Sequence, residues 1–364
     1  MAGVYISWPF CSQKCTYCNF ASGVLPQALE VDYAAVLLSE LREHDWAEAP
    51  DTVYLGGGTP SLMPLDTLRS ILGAIPRRPW AEATLEAAPG TLTAEGVEAW
   101  RSAGITRLSL GVQSFSSREA ARTGRRHTAE TVAHDVTLLR EAGISDFNLD
   151  LIAGLPGQTE SSFEESLDWI ERLRAPHVSV YMLEVDEDSR LGQEVLLNGK
   201  RYGAPDVPSD EIIVRLYERA VERLARMDLR RYEISNFAAP GFESKHNLKY
   251  WQLESYFGFG ADAHSFHSGR RWQNAETAAD YVARMREHGN ARVAESEAHP
   301  GDERFFVGLR LMRGIADDGR ATDPQRQAIE RFVNDGLLER REGVLRLTDR
   351  GVLFSNDVFA ELVA

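Results

Sequence analysis

The chain has 364 residues, 43% hydrophobic and 26% charged, enough for about two domains or for one large α/β barrel with an appendage, and such ordinary usage excludes collagen, coiled coil and intrinsic disorder. Its 40 Lys and Arg against 55 Asp and Glu leave a net charge of -15, which argues against a nucleic-acid binder that tracks phosphates. No run approaches the roughly 18 consecutive apolar residues of a membrane-spanning helix, and the opening MAGVYISWPF lacks the features of a signal peptide, so we expect a cytoplasmic protein with no integral membrane segment and at most peripheral membrane contact.

Short β-rich runs then recur between amphipathic stretches: VYIS at 4–7, TVYL at 52–55, TLEA at 84–87, RLSLGV at 107–112, FNLDLI at 147–152 and HVSVYM at 177–182. Each reads as a buried parallel strand. The intervening DYAAVLLSELREHDW from Asp32 and SFEESLDWIERL from Ser162 carry apolar residues at three and four spacing, as helices do. Six such βα units suit a partial (β/α) barrel or an open doubly wound sheet. After Ser189 the polar LNGKRYGAPDVPSD predicts an excursion before the helix IIVRLYERAVERLARM. The stretch 231–300 is rich in aromatic residues and histidine and lacks clear periodicity. From 301 to 364 two helices, a turn at Glu342-Gly343, a strand VLRLT and a final helix predict a winged-helix-like cap on a core spanning 1–230.

Cys11, Cys15 and Cys18 are the only cysteines, in CSQKCTYC directly after the first strand. A disulfide framework would need an even number spread along a short secreted chain. Three thiolates so close can wrap one side of a polynuclear iron–sulfur centre. Zinc is the rival metal, but a structural zinc site wants a fourth ligand and the nearest histidine is His44.

Polar residues recur where the strands end, which is where parallel α/β folds bind ligands. LGGGTPS follows the second strand, where Gly56, Gly57 and Gly58 allow close backbone approach; a plain tight turn is the simpler reading. The third strand ends at Glu86 and the fourth leads to Gln113. Asp150 sits in an otherwise apolar fifth strand, where a carboxylate is costly unless paired or used; a satisfied structural carboxylate would also explain it.

The Cys-x3-Cys-x2-Cys spacing, with Tyr17 before the third cysteine, resembles the signature of the radical S-adenosylmethionine (SAM) superfamily. The resemblance implies a partial (β/α)6 barrel and a 4Fe-4S cluster on Cys11, Cys15 and Cys18 whose open iron chelates SAM. It also implies that an electron from the cluster can cleave SAM to methionine and a 5′-deoxyadenosyl radical. Gly57, Gly58 and Thr59 match a GGTP motif that contacts the methionine amino group, and Tyr5 matches a tyrosine that lines the same site. Glu86 in EAAPG, Gln113 in GVQSF, Arg125 in GRRH and Asp150 in DLIAGLP match residues that hold the rest of SAM. Arg125 suits the methionine carboxylate, which a guanidinium binds bidentately.

From Tyr5 to its C-terminus the chain resembles the HemN/HemW family, which contains an oxygen-independent coproporphyrinogen III oxidase and related heme chaperones. Three features favour the chaperone branch: Cys11 lies almost at the start of the chain, Phe20 stands where the oxidase has a further cysteine, and HNLKYW at 246–251 matches a motif associated with heme binding. The resemblance thus implies heme as cargo, hemoproteins that donate and accept it, and an electron donor such as flavodoxin or ferredoxin where SAM is cleaved. Heme asks for aromatic faces, a cation and an exposed imidazole. His246, Asn247, Tyr250 and Trp251, with His246 as first choice of axial ligand and His264 and His267 behind it, are the expected heme residues. On the simpler reading Tyr250 and Trp251 are core aromatics and His246 is a hydrogen-bonded loop residue. The alternatives in function are oxidative decarboxylation of coproporphyrinogen III and radical SAM chemistry on another substrate.

Overall fold

The computed structural model describes residues 1–46, 48–76 and 79–363. Six parallel strands lie in sequence order: β1 (Ala2–Trp8), β2 (Pro50–Gly57), β3 (Glu82–Ala87), β4 (Arg107–Gln113), β5 (Asp146–Ala153) and β6 (His177–Met182). Their apolar residues are almost wholly buried, as expected of strands covered by helices on one face and by their own curled sheet on the other. β1 and β6 do not pair, so the barrel is open, with six of the eight strands that closure would need.

The helices lie where the apolar spacing places them, with ends set by capping. Helix Gln27–Glu43 buries Tyr33, Leu37 and Leu41, and helix Glu160–Leu173 buries Phe163, Leu167 and Ile170. Thr159 begins the latter with a capping box, its side chain accepting from the Ser162 amide while Ser162 bonds back. The first of the two helices predicted after residue 301 spans Pro300–Val307, and a 3-10 turn, Gly308–Arg310, follows it.

The stretch 231–300 extends the same sheet at both ends. β7 (Arg230–Arg231) and β8 (Asn236–Ala238) add antiparallel strands beyond β6, while β9 (Tyr256–Phe259) pairs parallel with β1. β10 (His264–His267), β11 (Arg270–Asn274) and β12 (Arg292–Glu297) continue outward from β9 as an antiparallel meander, giving a sheet of twelve strands among the described residues. These strands are two to six residues long, too short for their period to show in the sequence. Helix Lys245–Trp251 sits under the starts of β2 and β3: the Glu82 carboxylate accepts from the Ser244 hydroxyl and from the amides of Lys245 and His246. The C-terminal segment holds a small sheet of β13 (Ile315–Ala316), β14 (Leu338–Arg341) and β15 (Val344–Leu347), with the turn at Glu342-Gly343 and helices on either side. Among the described residues no helix is long and apolar enough to cross a membrane.

Candidate functional site

A cavity of about 1100 Å³ fills the barrel and opens at the C-terminal ends of its strands. Cys11, Cys15 and Cys18 line it together with Gly57, Gly58, Thr59, Glu86, Gln113, Arg125 and Asp150. Residues spread over 140 positions of sequence therefore face one space, because they lie on the strands or on the segments that follow them.

The cysteine loop is fixed from both flanks. The Gly58 amide donates to the Trp8 carbonyl at 2.7 Å and the Thr59 amide to the Phe10 carbonyl at 2.9 Å, pinning the GGTP turn to the start of the loop. A Cβ at Gly58 would stand 2.7 Å from the Phe10 carbonyl oxygen, and Gly57 has φ of 109°, so both positions require glycine. On the other flank the Thr16 amide donates to the Thr123 carbonyl at 3.1 Å and the Leu191 amide to the Thr16 carbonyl at 2.8 Å. The first of these contacts brings the segment after β4, and with it Arg125, against the thiols.

Soft thiols gathered on one short loop are the donor set of an iron–sulfur cluster. Among the described residues no three His, Cys, Asp or Glu side chains converge to hold a single ion.

Beside the loop, Arg125 donates from Nε to the Tyr17 hydroxyl at 3.1 Å and from a terminal nitrogen to the Gly111 carbonyl at 2.5 Å, which leaves the other terminal nitrogen for a carboxylate. Gln113 holds φ of 69° at a register shift between β4 and β5. A left-handed backbone at a non-glycine residue is a strained arrangement typical of ligand sites. Glu86 accepts from the Tyr54 hydroxyl at 2.8 Å and from the Gly57 amide at 3.1 Å, and burial, aided by nearby Asp150, pushes its carboxyl up to about 7. Burial also raises the carboxyl of Asp150, which accepts from Asn148 at 2.7 Å and Ser109 at 3.4 Å. Tyr5 lies behind this wall, its ring stacked on Tyr54 with centroids 6.1 Å apart.

Sequence reasoning missed a polar ladder down the barrel: Thr84, Ser109, Asn148, Ser179 and Asn236 all line the cavity. The Asn148 amide nitrogen lies 2.8 Å from the Ser109 hydroxyl and 2.9 Å from the Ser179 hydroxyl, and Ser179 donates to Asn236 at 2.7 Å. The signal was present, since Thr84 and Asn148 precede Glu86 and Asp150 by two residues and so share their face. Arg310 and the segment Val352–Asp357 close the cavity's side, and no local pattern marked them.

The structure corrects the expectation for the HNLKYW segment. His246 is 1% exposed; its Nδ1 pairs with the Thr52 hydroxyl at 2.9 Å and its Nε2 with the Tyr250 hydroxyl at 2.7 Å. Burial, with Lys249 adding to it, holds the imidazole down to about 3, so it is neutral with both nitrogens occupied. It is a packed wedge under the barrel rather than an exposed axial ligand. Tyr250 packs against Tyr256, and Trp251 carries the Arg310 guanidinium 4.6 Å above its ring. Of the four residues, Asn247 alone reaches the cavity, from its floor. His264 is exposed on β10, and His267 is half-buried beside Ser255 and Glu48.

Comparison with known proteins bears on this geometry. A model of the radical SAM superfamily matches residues 5–170. The heme chaperone HemW of Bacillus subtilis is 33% identical over 99% of this chain and 98% of its own length, and that of Lactococcus lactis 32% identical over 99% and 96%. The HemW of Haemophilus influenzae is 35% identical over 98% and 96%. The coproporphyrinogen III oxidase HemN from Escherichia coli, a radical SAM enzyme, superposes with a TM-score of 0.85 over 100% of this chain and 90% of its own, at 20% identity; that likeness speaks to the fold alone.

Proposed function

We infer the function of this chain from its family: it belongs to the HemW family of the radical SAM superfamily, sharing 32–35% identity with members along nearly the full length of both. It is a radical SAM 4Fe-4S protein that acts as a heme chaperone, binding heme and passing it to apo-hemoproteins. Full-length similarity to proteins named heme chaperones is the observation that carries this reading, and the thiol-lined cavity supports it.

Cys11, Cys15 and Cys18 would hold the cluster, which when bound would supply an iron site for SAM and the electron for its cleavage. Gly57, Gly58 and Thr59 present backbone groups to the methionine end, Arg125 its free terminal nitrogen to the carboxylate, and Glu86, Gln113 and Asp150 polar groups to the remainder. Tyr5 supports this wall through Tyr54. Respiratory cytochromes are the acceptors we propose, the cytoplasm the compartment, and a flavodoxin or ferredoxin the electron source where SAM is cleaved.

The test is transfer. The reconstituted protein, loaded anaerobically with hemin, should deliver heme to an apo-hemoprotein, whose absorption spectrum develops as the donor's declines. Failure of the loaded protein to transfer would overturn the reading. In a parallel anaerobic incubation with SAM, a reductant and coproporphyrinogen III, mass detection should find no decarboxylated product; turnover there would make the chain an oxidase.

A further inference from the structure

The mouth of the cavity differs from its walls. Phe20, in the cysteine loop, is 64% exposed, and Tyr181 and Val185, at and just beyond the end of β6, are each 43% exposed. Phe20 and Tyr181 line the same cavity, and Asn19 donates to the Asp186 carboxylate at 2.6 Å, tying the Phe20 and Val185 loops together across the opening. Large apolar side chains gathered at the rim of a cavity mark a place where something apolar is received.

The cavity also holds two cations. Lys14 and Arg126 also line the cavity, and among the described residues neither forms an ion pair with a carboxylate: Lys14 donates to the Phe20 carbonyl at 3.1 Å, and Arg126 is exposed. On a chain of net charge -15, two cations without a carboxylate partner among the described residues, in a cavity with exposed rings, suit a flat apolar molecule with negative groups at its edge. Among the described residues the cavity offers that molecule no free imidazole. His177 pairs through Nδ1 with Asn148 at 2.7 Å and through Nε2 with Tyr232 at 3.0 Å, and His127 is buried against the Ser114 carbonyl. The three thiols belong to the cluster.

We propose that heme binds at this mouth rather than on the HNLKYW segment, its macrocycle against Phe20, Tyr181 and Val185 and its two propionates on Lys14 and Arg126, with no protein imidazole on the iron. The proposal rests on the heme-chaperone reading and adds to it the location and mode of binding. A cargo held by its face and carboxylates leaves the iron's coordination to the acceptor, which suits handover.

The test uses the full chain with its cluster reconstituted, titrated with hemin and with hemin dimethyl ester, which lacks the carboxylates. Hemin should bind the wild type saturably, one per chain. Phe20→Ser with Tyr181→Ser should weaken binding about tenfold through lost apolar contact. Lys14→Gln with Arg126→Gln should weaken hemin binding about tenfold but leave the ester unaffected, and His246→Gln should bind as the wild type does. Unchanged cluster absorption and SAM affinity in each variant establish that the site is intact. Mouth variants that bind hemin normally, or an ester that binds the wild type as tightly as hemin does, would overturn this location, as would loss of binding in His246→Gln with its cluster intact. Absence of saturable binding to the wild type would instead remove the chaperone reading itself.

Discussion

Serine at Cys11, Cys15 or Cys18 keeps the size of the side chain but removes the thiolate, so each single substitution tests the cluster with little effect on packing. Anaerobic analysis should give about four irons and four sulfides per wild-type chain and should lose both, together with SAM binding, in each variant. A stoichiometric zinc without sulfide would refute the assignment. Glu86 supplies a second test at this scale, through pH. Burial pushes its folded carboxyl up to about 7, whereas a free glutamate titrates near 4.3. Between those values the folded protein keeps a proton that the unfolded chain has released, so stability falls as pH rises from about 4.3 to 7, by roughly 4 kcal/mol at most. Glu86→Gln cannot titrate and loses that slope. Its melting temperature relative to wild type, followed without ligands from pH 5 to pH 8, should shift in the variant's favour; parallel curves would refute the assignment.

At the scale of elements, the site depends on two backbone segments held closer than a side chain allows. The GGTP turn bonds to the start of the cysteine loop at Trp8 and Phe10, and a methyl at Gly58 would collide with the Phe10 carbonyl and the Pro9 backbone. Gly58→Ala should therefore spread the two segments, costing about 1–3 kcal/mol by overpacking and lowering cluster occupancy and SAM affinity together. Thermal denaturation and iron analysis of one preparation check both. An unshifted melting temperature with full iron content would show that the turn can yield.

At the scale of the whole molecule, the core is not confined to the six βα units. Both outer edges of that set are paired by strands from 231–300, β8 on β6 and β9 on β1, and Phe237, Phe257 and Phe259 are buried there. A fragment ending at residue 230 would expose two open sheet edges and much apolar surface. It should aggregate or remain unfolded, whereas the full chain should unfold in one cooperative transition that includes 231–300, as circular dichroism and limited proteolysis would show. A soluble, folded fragment would mark 231–300 as dispensable to the core.

The sequence by itself determined the parts whose signal is local. Three thiols within eight residues state a chemistry without any fold, and the run of six strands shows because apolar runs, helical spacing and capping residues such as Thr159 are read over a few neighbours. It also placed Glu86 and Gln113 at strand ends and Asp150 within the fifth strand, and the structure brings them to one cavity. The tertiary structure decided what depends on distant partners. His246 meets Thr52 across 194 residues and becomes a buried neutral wedge, a fate that no motif around it encodes. The short strands of 231–300 take their places by pairing with edges formed far away, since two to six residues carry too little periodicity to specify them. The cavity and its apolar, cationic mouth likewise exist only once β6, the cysteine loop and the C-terminal segment meet, because exposure is a property of the assembled surface and not of any residue type.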